Sequence, residues 1–221
     1  MEPKPPRPSR LRRRRILIAV LVLVGVIYFL GLPQLDAFDL DFPVNRANIA
    51  QLMRGKGSGK GKFVVPEIYG VLHVVTSADA ENEHVLAGTE GGFDPTKPMD
   101  VQLYAPGKPD IDWLYNMQTI NEQFPLVVFS KTYCPFSKRA KALLQTYRLS
   151  PPPKIIEVDL RDDAEHLKQL LARLTHHGTF PNNVLLGQSL GGFDQLNALH
   201  NDGKLRKMLE GAGITVGNPD V

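Results

Sequence analysis

Regular hydrophobic periodicity begins at Ile111 and continues almost to the end of the chain. Apolar residues from Ile111 to Phe124 recur at helical spacing, and Pro125 ends that pattern. Leu126 to Phe129 is a continuous apolar run, which is typical of a central strand buried on both faces. The same criteria predict, in order, a helix over Ser137–Tyr147, a strand over Ile155–Val158, a helix from Asp162–Asp163 to Leu174, a strand over Asn183–Leu186, a turn at Gly187–Gln188, a strand continuing into Ser189–Leu190, a helix capped by Asp194 and running to His200, and a last helix over Lys204–Glu210. This order predicts an α/β domain with a mixed sheet and helices on both faces.

The N-terminal region has a different composition. Of the 26 basic and 23 acidic residues in the chain, seven basic and one acidic residue lie in residues 1–15, so the remainder is slightly acidic and gives no support for nucleic-acid binding. Residues 16–32 contain no charge and follow four consecutive arginines. We expect residues 1–15 to be a basic cytosolic tail and residues 16–32 to be a transmembrane signal anchor. No Ala-x-Ala site ends the apolar run, which favours an uncleaved anchor over a cleaved signal peptide.

Residues 33–110 lack a clear period and are interpreted as a stem or linker. A Gly/Lys run at 55–62 does not match the phosphate-loop pattern and is typical of a flexible linker. Three β-branched or apolar segments predict short strands, with a packed hairpin and a partly ordered stalk both left open; they are Phe63–Val65, Ile68–Val75 and Val101–Tyr104.

Cys134 is the only cysteine in the sequence, and it lies at the junction between the first predicted strand and the helix that follows. No disulfide can therefore form within the chain. A lone cysteine is commonly a buried apolar residue. However, a helix N-terminus and the nearby Lys131 both favour a thiolate at this position. The local pattern thus indicates a nucleophile.

Three motifs occur in a characteristic order along the domain. They are Lys131-Thr132-Tyr133-Cys134-Pro135-Phe136-Ser137, Thr179-Phe180-Pro181 and Gly191-Gly192-Phe193-Asp194. Together with the element order they resemble the glutaredoxins, over roughly residues 113–212. With the N-terminal anchor, the chain is similar to the fungal membrane-bound monothiol glutaredoxins of the early secretory pathway. The resemblance implies a thioredoxin-like fold with a four-stranded mixed sheet over residues 111–215, followed by a flexible tail at 216–221.

The resemblance also implies glutathione as the co-substrate. Cys134 would attack a glutathione mixed disulfide, and a second glutathione would resolve it, because Ser137 stands where dithiol members have their second cysteine. The residues that the resemblance assigns to glutathione binding are Lys131, Phe136, Lys168, Thr179, Phe180, Pro181, Gly192, Phe193 and Asp194. Pro181 would be a cis proline that presents the Phe180 backbone to the substrate, and the N–H groups of Phe193 and Asp194 would bind the γ-glutamyl carboxylate. Lys168 is placed at the glycine end by helix register alone.

The implied activity is that of a glutathione-dependent thiol–disulfide oxidoreductase, which removes glutathione from protein clients or adds it. Two alternatives stay open. One is a [2Fe–2S] cluster held by Cys134 and glutathione between two subunits, which the proline after the cysteine disfavours in the family. The other is an inactive module that binds glutathionylated clients. No histidine has metal-ligand spacing, and His176-His177 is interpreted as part of a loop. The positive-inside rule places the chain after residue 32 on the lumenal or extracellular side, as in a type II membrane protein. The resemblance implies that this side is the lumen of the ER or Golgi.

Overall fold

A computed structural model of the chain describes residues 64–77, 86, 94–105 and 110–217. The predictions for residues 1–62 lie outside these ranges. The helices are α1 (Ile68–Thr76), α2 (Trp113–Gln123), α3 (Pro135–Thr146), α4 (Ala164–Thr175), α5 (Phe193–Asn201) and α6 (Lys204–Gly211), with short 3-10 helices at Val101–Tyr104 and Val158–Leu160. The strands are β1 (Leu126–Ser130), β2 (Leu149–Ser150), β3 (Lys154–Glu157), β4 (Asn182–Leu185), β5 (Gln188–Ser189) and β6 (Thr215–Val216).

The central element is β1, as its continuous apolar sequence predicts. The main sheet has the order β3-β1-β4-β5, with β1 parallel to β3 and antiparallel to β4. Every residue of β1 is buried, and Val128 and Phe129 are fully enclosed. The predicted mixed four-stranded sheet flanked by helices, a thioredoxin-like fold, is therefore confirmed.

The segment predicted as strand over Ile68–Val75 is instead helix α1. Eight of its nine residues are buried, so the β-branched side chains pack on all sides of a core helix rather than on a sheet. Val101–Tyr104, also predicted as a strand, forms a 3-10 helix that begins where the Asp100 carboxylate accepts the Gln102 N–H at 2.9 Å. Gly70 packs directly on the Tyr104 ring, because an added Cβ would lie 2.4 Å from that ring.

Polar contacts join this N-terminal segment to the rest of the domain. The Tyr69 hydroxyl lies 2.9 Å from the Leu186 carbonyl oxygen and 3.1 Å from Asn121 Oδ1. Glu67 receives two hydrogen bonds from the Arg173 guanidinium of α4, at 2.6 and 2.8 Å. Residues 64–77 and 94–105 are thus part of the folded domain, which corrects their assignment to a stem or linker.

The C-terminal boundary is also different from the prediction. Residue 216, assigned to a flexible tail, lies in β6, which pairs antiparallel with β2 in a separate two-stranded sheet. The Gly217 N–H donates to the Tyr147 carbonyl oxygen at 3.0 Å. The ordered domain therefore extends through residue 217, and residues 218–221 lie outside the described part of the chain.

Within the described ranges, no helix has both the length and the apolar character needed to cross a bilayer. The predicted anchor at residues 16–32 is not among the described residues.

Candidate active site

The fold brings the predicted nucleophile and the Phe180-Pro181 segment to the same end of the sheet, where β1 ends and β4 begins. In the antiparallel register of β1 and β4, Phe129 lies opposite Asn182. The chain leaving β1 towards Cys134 is therefore next to the chain that enters β4 after Pro181. Two segments that are 46 residues apart in sequence become neighbours through this pairing.

Cys134 is the N-cap residue of α3. Its backbone is extended, with φ −73° and ψ 122°, and Pro135 occupies the first helical position. The Cys134 carbonyl accepts the Lys138 N–H at 3.1 Å, while its own N–H donates to the Lys131 carbonyl in the preceding turn. The thiol therefore lies at the positive end of the helix dipole, where an anion is stabilised.

The surroundings lower the pKa of the Cys134 thiol below its ordinary value. Partial burial opposes ionisation, but the N–H and hydroxyl of Ser137, the N–H of Phe136 and the charge of Lys131 together outweigh it. Cys134 is half-buried, and its neighbours Tyr133 and Phe136 are exposed. The site thus combines a thiol of lowered pKa with access from solvent, and both favour nucleophilic sulfur chemistry.

Ser137 contributes more than a residue at the start of a helix. Its side chain is fully buried, and its Oγ accepts the Lys131 N–H at 3.2 Å while the same hydroxyl stabilises the Cys134 thiolate. Ser137 therefore holds the loop that precedes the cysteine and also acts on the sulfur.

A carboxylate that sequence reasoning missed also fixes this loop. Asp159 accepts the Thr132 N–H at 2.9 Å through Oδ1 and the Thr132 hydroxyl through Oδ2. The hydrogen bonds from Thr132 have the largest effect on the pKa of Asp159. They lower that pKa, so the carboxylate remains ionised. Asp159 follows β3, which is parallel to β1, so only the sheet order reveals that it lies beside residue 132.

The Phe180–Pro181 peptide bond is cis, as the resemblance implied. The Phe180 carbonyl oxygen lies 3.5 Å from Cys134 Sγ, so it faces the thiol. Lys131 Nζ is 5.2 Å from the centroid of the Phe180 ring and 5.8 Å from that of Tyr133. Lys131, Phe180 and Pro181 thus form one wall of a groove beside the sulfur.

The glycine turn forms the second wall. Gly191 has φ +83°, a conformation that other residues adopt only with strain. Gly192, with φ −82°, is the N-cap of α5, and its N–H donates to Gln195 Oε1 at 3.0 Å. Asp194 is therefore in the first turn of α5 and is not the cap, which corrects the prediction, and it is exposed to solvent.

An arginine links the two helices that begin at the site. The Arg139 guanidinium lies between two rings, with its Cζ 4.4 Å from the centroid of Phe136 and 4.7 Å from that of Phe193. The predicted residues Phe136 and Phe193 are thus brought together across this cation. No local motif predicts that contact, because it depends on the packing of α3 against α5.

Lys168 is placed differently from the other predicted residues. It is on the exposed surface of α4, where its Nζ lies 3.8 Å from Glu165 Oε2. Within the part of the chain that the structure describes, Lys168 pairs with Glu165, and the structure does not connect Lys168 with the groove.

The described ranges contain no group of three or more His, Cys, Asp or Glu side chains able to hold a metal ion. Cys134 is the only thiol in the sequence. A cluster at this position would have to take its remaining ligands from outside the chain.

Comparison with known proteins identifies similar sequences in one family. The sequence model of the family described as Glutaredoxin matches residues 126–188. Glutaredoxin-C2 of Arabidopsis thaliana is 42% identical over 92 residues, which are 42% of this chain and 81% of that protein. Monothiol glutaredoxin-7 of Saccharomyces cerevisiae is 36% identical over 100 residues, or 45% of this chain, and the match spans only 49% of the yeast protein.

Among solved structures, the buckwheat glutaredoxin–glutathione complex aligns with 34% sequence identity and a TM-score of 0.39, over 46% of this chain and 92% of that one. The sequence match to the Arabidopsis protein covers most of that relative. Because the chain is 42% identical to that relative and covers 81% of it, the chain belongs to the glutaredoxin family.

Proposed function

We propose that the chain is a monothiol glutaredoxin, a glutathione-dependent thiol–disulfide oxidoreductase that acts through Cys134. The Cys134 thiolate attacks the glutathione sulfur of a client mixed disulfide, and the client sulfur leaves as a thiolate and takes up a proton. A second glutathione thiolate then attacks the glutathione sulfur held on Cys134. This step releases glutathione disulfide and returns the Cys134 thiolate. In the net reaction the disulfide bond to the client is broken and one forms between two glutathione sulfurs, so the incoming glutathione is oxidised as the client sulfur is reduced to a thiol. The steps in reverse add glutathione to a client.

The observation that carries this proposal is the environment of a single sulfur. The Cys134 pKa is lowered by donors from Ser137 and Phe136, and the residue that would provide a resolving thiol is a buried serine. An intramolecular disulfide is therefore impossible, and an external thiol must complete the cycle. Glutathione is proposed for that thiol because the two walls of the groove match its chemistry.

The groove offers groups for each end of a glutathione molecule. The Lys131 ammonium suits a carboxylate, and the N–H groups at the start of α5 suit the γ-glutamyl carboxylate. The exposed Asp194 carboxylate suits the ligand's ammonium group. The Phe180 backbone borders the sulfur and suits pairing with an extended peptide. Thr179 is exposed beside it. Lys168 remains a proposed contact on family alignment only.

The proposal is tested by measuring glutathione-dependent reduction of a small glutathione mixed disulfide with the full chain. The wild type should turn over, and Cys134→Ser should fall to background while keeping its thermal unfolding temperature. Equal activity in both proteins would refute Cys134 as the nucleophile.

The same preparations distinguish the two alternatives. A coloured wild type with visible absorption that Cys134→Ser abolishes would favour a [2Fe–2S] protein. A wild type that binds glutathionylated clients without turnover, with binding kept in Cys134→Ser, would favour an inactive binding module.

We further propose that the domain is lumenal in the early secretory pathway, held by residues 16–32 as a type II anchor. The support is the uncharged run behind four arginines and the positive-inside rule. Protease treatment of intact microsomes should leave the domain protected. Digestion of the domain in intact vesicles would show that it faces the cytosol and would contradict the proposed orientation.

A further inference from the structure

His177 lies between the two walls of the groove, although its sequence context suggested only a loop. Its Nε2 is 3.1 Å from the Pro181 carbonyl oxygen and 3.2 Å from Thr179 Oγ1. Both partners belong to the segment around the cis proline. The imidazole is therefore fixed to the wall that carries Phe180.

The position of one ring hydrogen follows from these partners. A carbonyl oxygen can only accept, so Nε2 carries the hydrogen that it donates to Pro181, and Thr179 Oγ1 shares that hydrogen as a second acceptor. The neutral Nε2–H tautomer and the imidazolium both have this hydrogen.

The edge of the ring formed by Cε1 and Nε2 also touches the glycine turn. A Cβ built on Gly192 would lie 3.2 Å from both Cε1 and Nε2 of His177. That is closer than most Cβ contacts, so the ring occupies the space that a side chain at residue 192 would need. The imidazole thus contacts both Pro181 and Gly192 and bridges the two segments.

The backbone of His177 is held independently of its ring. Its carbonyl oxygen accepts from Asn182 Nδ2 at 3.2 Å and from Thr175 Oγ1 at 3.3 Å. A change of the side chain alone leaves these bonds in place. The role of the ring can therefore be tested apart from the fold of the loop.

We propose that His177 is a positioning residue that sets the distance between the cis-proline segment and the glycine turn, and thereby the affinity for glutathione. This inference rests on the proposed function, because the two segments are the proposed walls of the glutathione site. His177 itself needs no contact with the ligand. Its effect falls on binding rather than on the reactivity of Cys134.

The test compares His177→Ala and His177→Gln in the full chain, using a small glutathione mixed disulfide as substrate. The Gln amide nitrogen can replace Nε2 as a donor to Pro181. His177→Ala should raise the KM for the glutathione substrate about fivefold, the usual effect of losing one hydrogen bond, with little change in kcat. His177→Gln should restore most of the affinity.

His176→Asn is the matched control. His176 is next to His177 in sequence, is exposed and has φ +55°, a conformation that asparagine tolerates. The kinetics of His176→Asn should equal those of the wild type. The proposal is overturned if His177→Ala leaves KM unchanged, or if it lowers kcat and the unfolding temperature while KM stays constant. A wild type without any glutathione turnover would refute the proposed function, a result that no His177 variant produces.

A double-mutant cycle tests the contact across the groove. Gly192→Ala places a methyl against the His177 ring, and its φ of −82° allows alanine without backbone strain. Its effect on KM should be at least threefold smaller in the His177→Ala background, where the space is free. Additive effects would show that His177 and Gly192 act separately and would contradict the proposal.

Discussion

At the scale of single residues, Ser137 explains how one cysteine is kept reactive without a second. Its buried hydroxyl binds the Lys131 N–H and stabilises the Cys134 thiolate. A cysteine at this place would instead provide a second thiol. The serine therefore keeps the geometry of the loop and the ionisation of the sulfur while it removes the route to an intramolecular disulfide.

The Ser137 hydroxyl should be visible in the pH dependence of alkylation. Removing a donor to the thiolate disfavours the anion, so Ser137→Ala should raise the pKa of Cys134 and move the midpoint of its reaction with iodoacetamide to higher pH. In the wild type that midpoint should lie below about 8.5, the value of a free cysteine. Lys138→Gln, an exposed change on the same helix, should leave the midpoint in place. A wild-type midpoint at or above that of an unfolded peptide would contradict the account of the site.

At the scale of elements, the strongest departure from sequence reasoning is α1. Its nine residues include four β-branched residues besides threonine, which favours a strand on local preference. Eight of the nine residues are buried, and the segment packs against α2, α4 and the Val101–Tyr104 helix. This packing stabilises a helix in place of the strand that local preference favours. From Ile111 onward the elements follow the sequence closely, because long apolar periods and proline stops leave little choice.

The packing of α1 predicts a large loss of stability on truncation of one side chain. Leu72 is 1% exposed, and Leu72→Ala should lower the free energy of unfolding by about 2–5 kcal/mol, measured by urea titration. Leu103, which is 53% exposed in the same N-terminal segment, is the control, and Leu103→Ala should change stability by about 0.5 kcal/mol or less. Equal small effects would mean that α1 does not pack in the core in solution.

Some residues of the candidate site can be predicted from local sequence motifs, and others depend on contacts between distant segments. Cys134, Pro181 and the Gly191–Gly192 turn are recognisable from local motifs, because each motif carries its own backbone requirement. Asp159 and His177 are not, since each acts through a neighbour that only the sheet order or a loop crossing supplies. Asp194 was expected to cap α5 because aspartate commonly does so, but the preceding glycine takes that position.

At the scale of the whole molecule, an ion pair of low exposure joins the described residues before 110 to the part of the domain that carries Cys134. The side chains of Arg173 and Glu67 are 21% and 11% exposed, and the Tyr104 hydroxyl donates to Glu67 Oε1 at 2.7 Å. Burial alone would raise the pKa of Glu67, but the hydrogen bonds from Arg173, Tyr104 and the Met99 backbone outweigh it and lower the pKa.

This pair makes stability depend on pH in a definite direction. Because the pKa of Glu67 is lower in the folded protein, its contribution is complete above the unfolded value of about 4.3 and is lost as the pH falls through the folded value. The unfolding temperature of Glu67→Gln should therefore be below that of the wild type at pH 7, and the difference should narrow below about pH 4. Glu165→Gln, at an exposed glutamate of α4, should show a much smaller difference at pH 7. A gap between wild type and Glu67→Gln that stays constant down to pH 3 would contradict the assignment.

The central claim is that Cys134 alone carries glutathione and that a second glutathione removes it. Intact-mass spectrometry of the full chain tests this most directly, after incubation with glutathione disulfide and again after reduced glutathione is added. The wild type should gain one glutathione per chain, located at Cys134, and lose it on the second addition, while Cys134→Ser should gain none. A wild type that takes up no glutathione, or an adduct that excess glutathione does not discharge, would contradict the account.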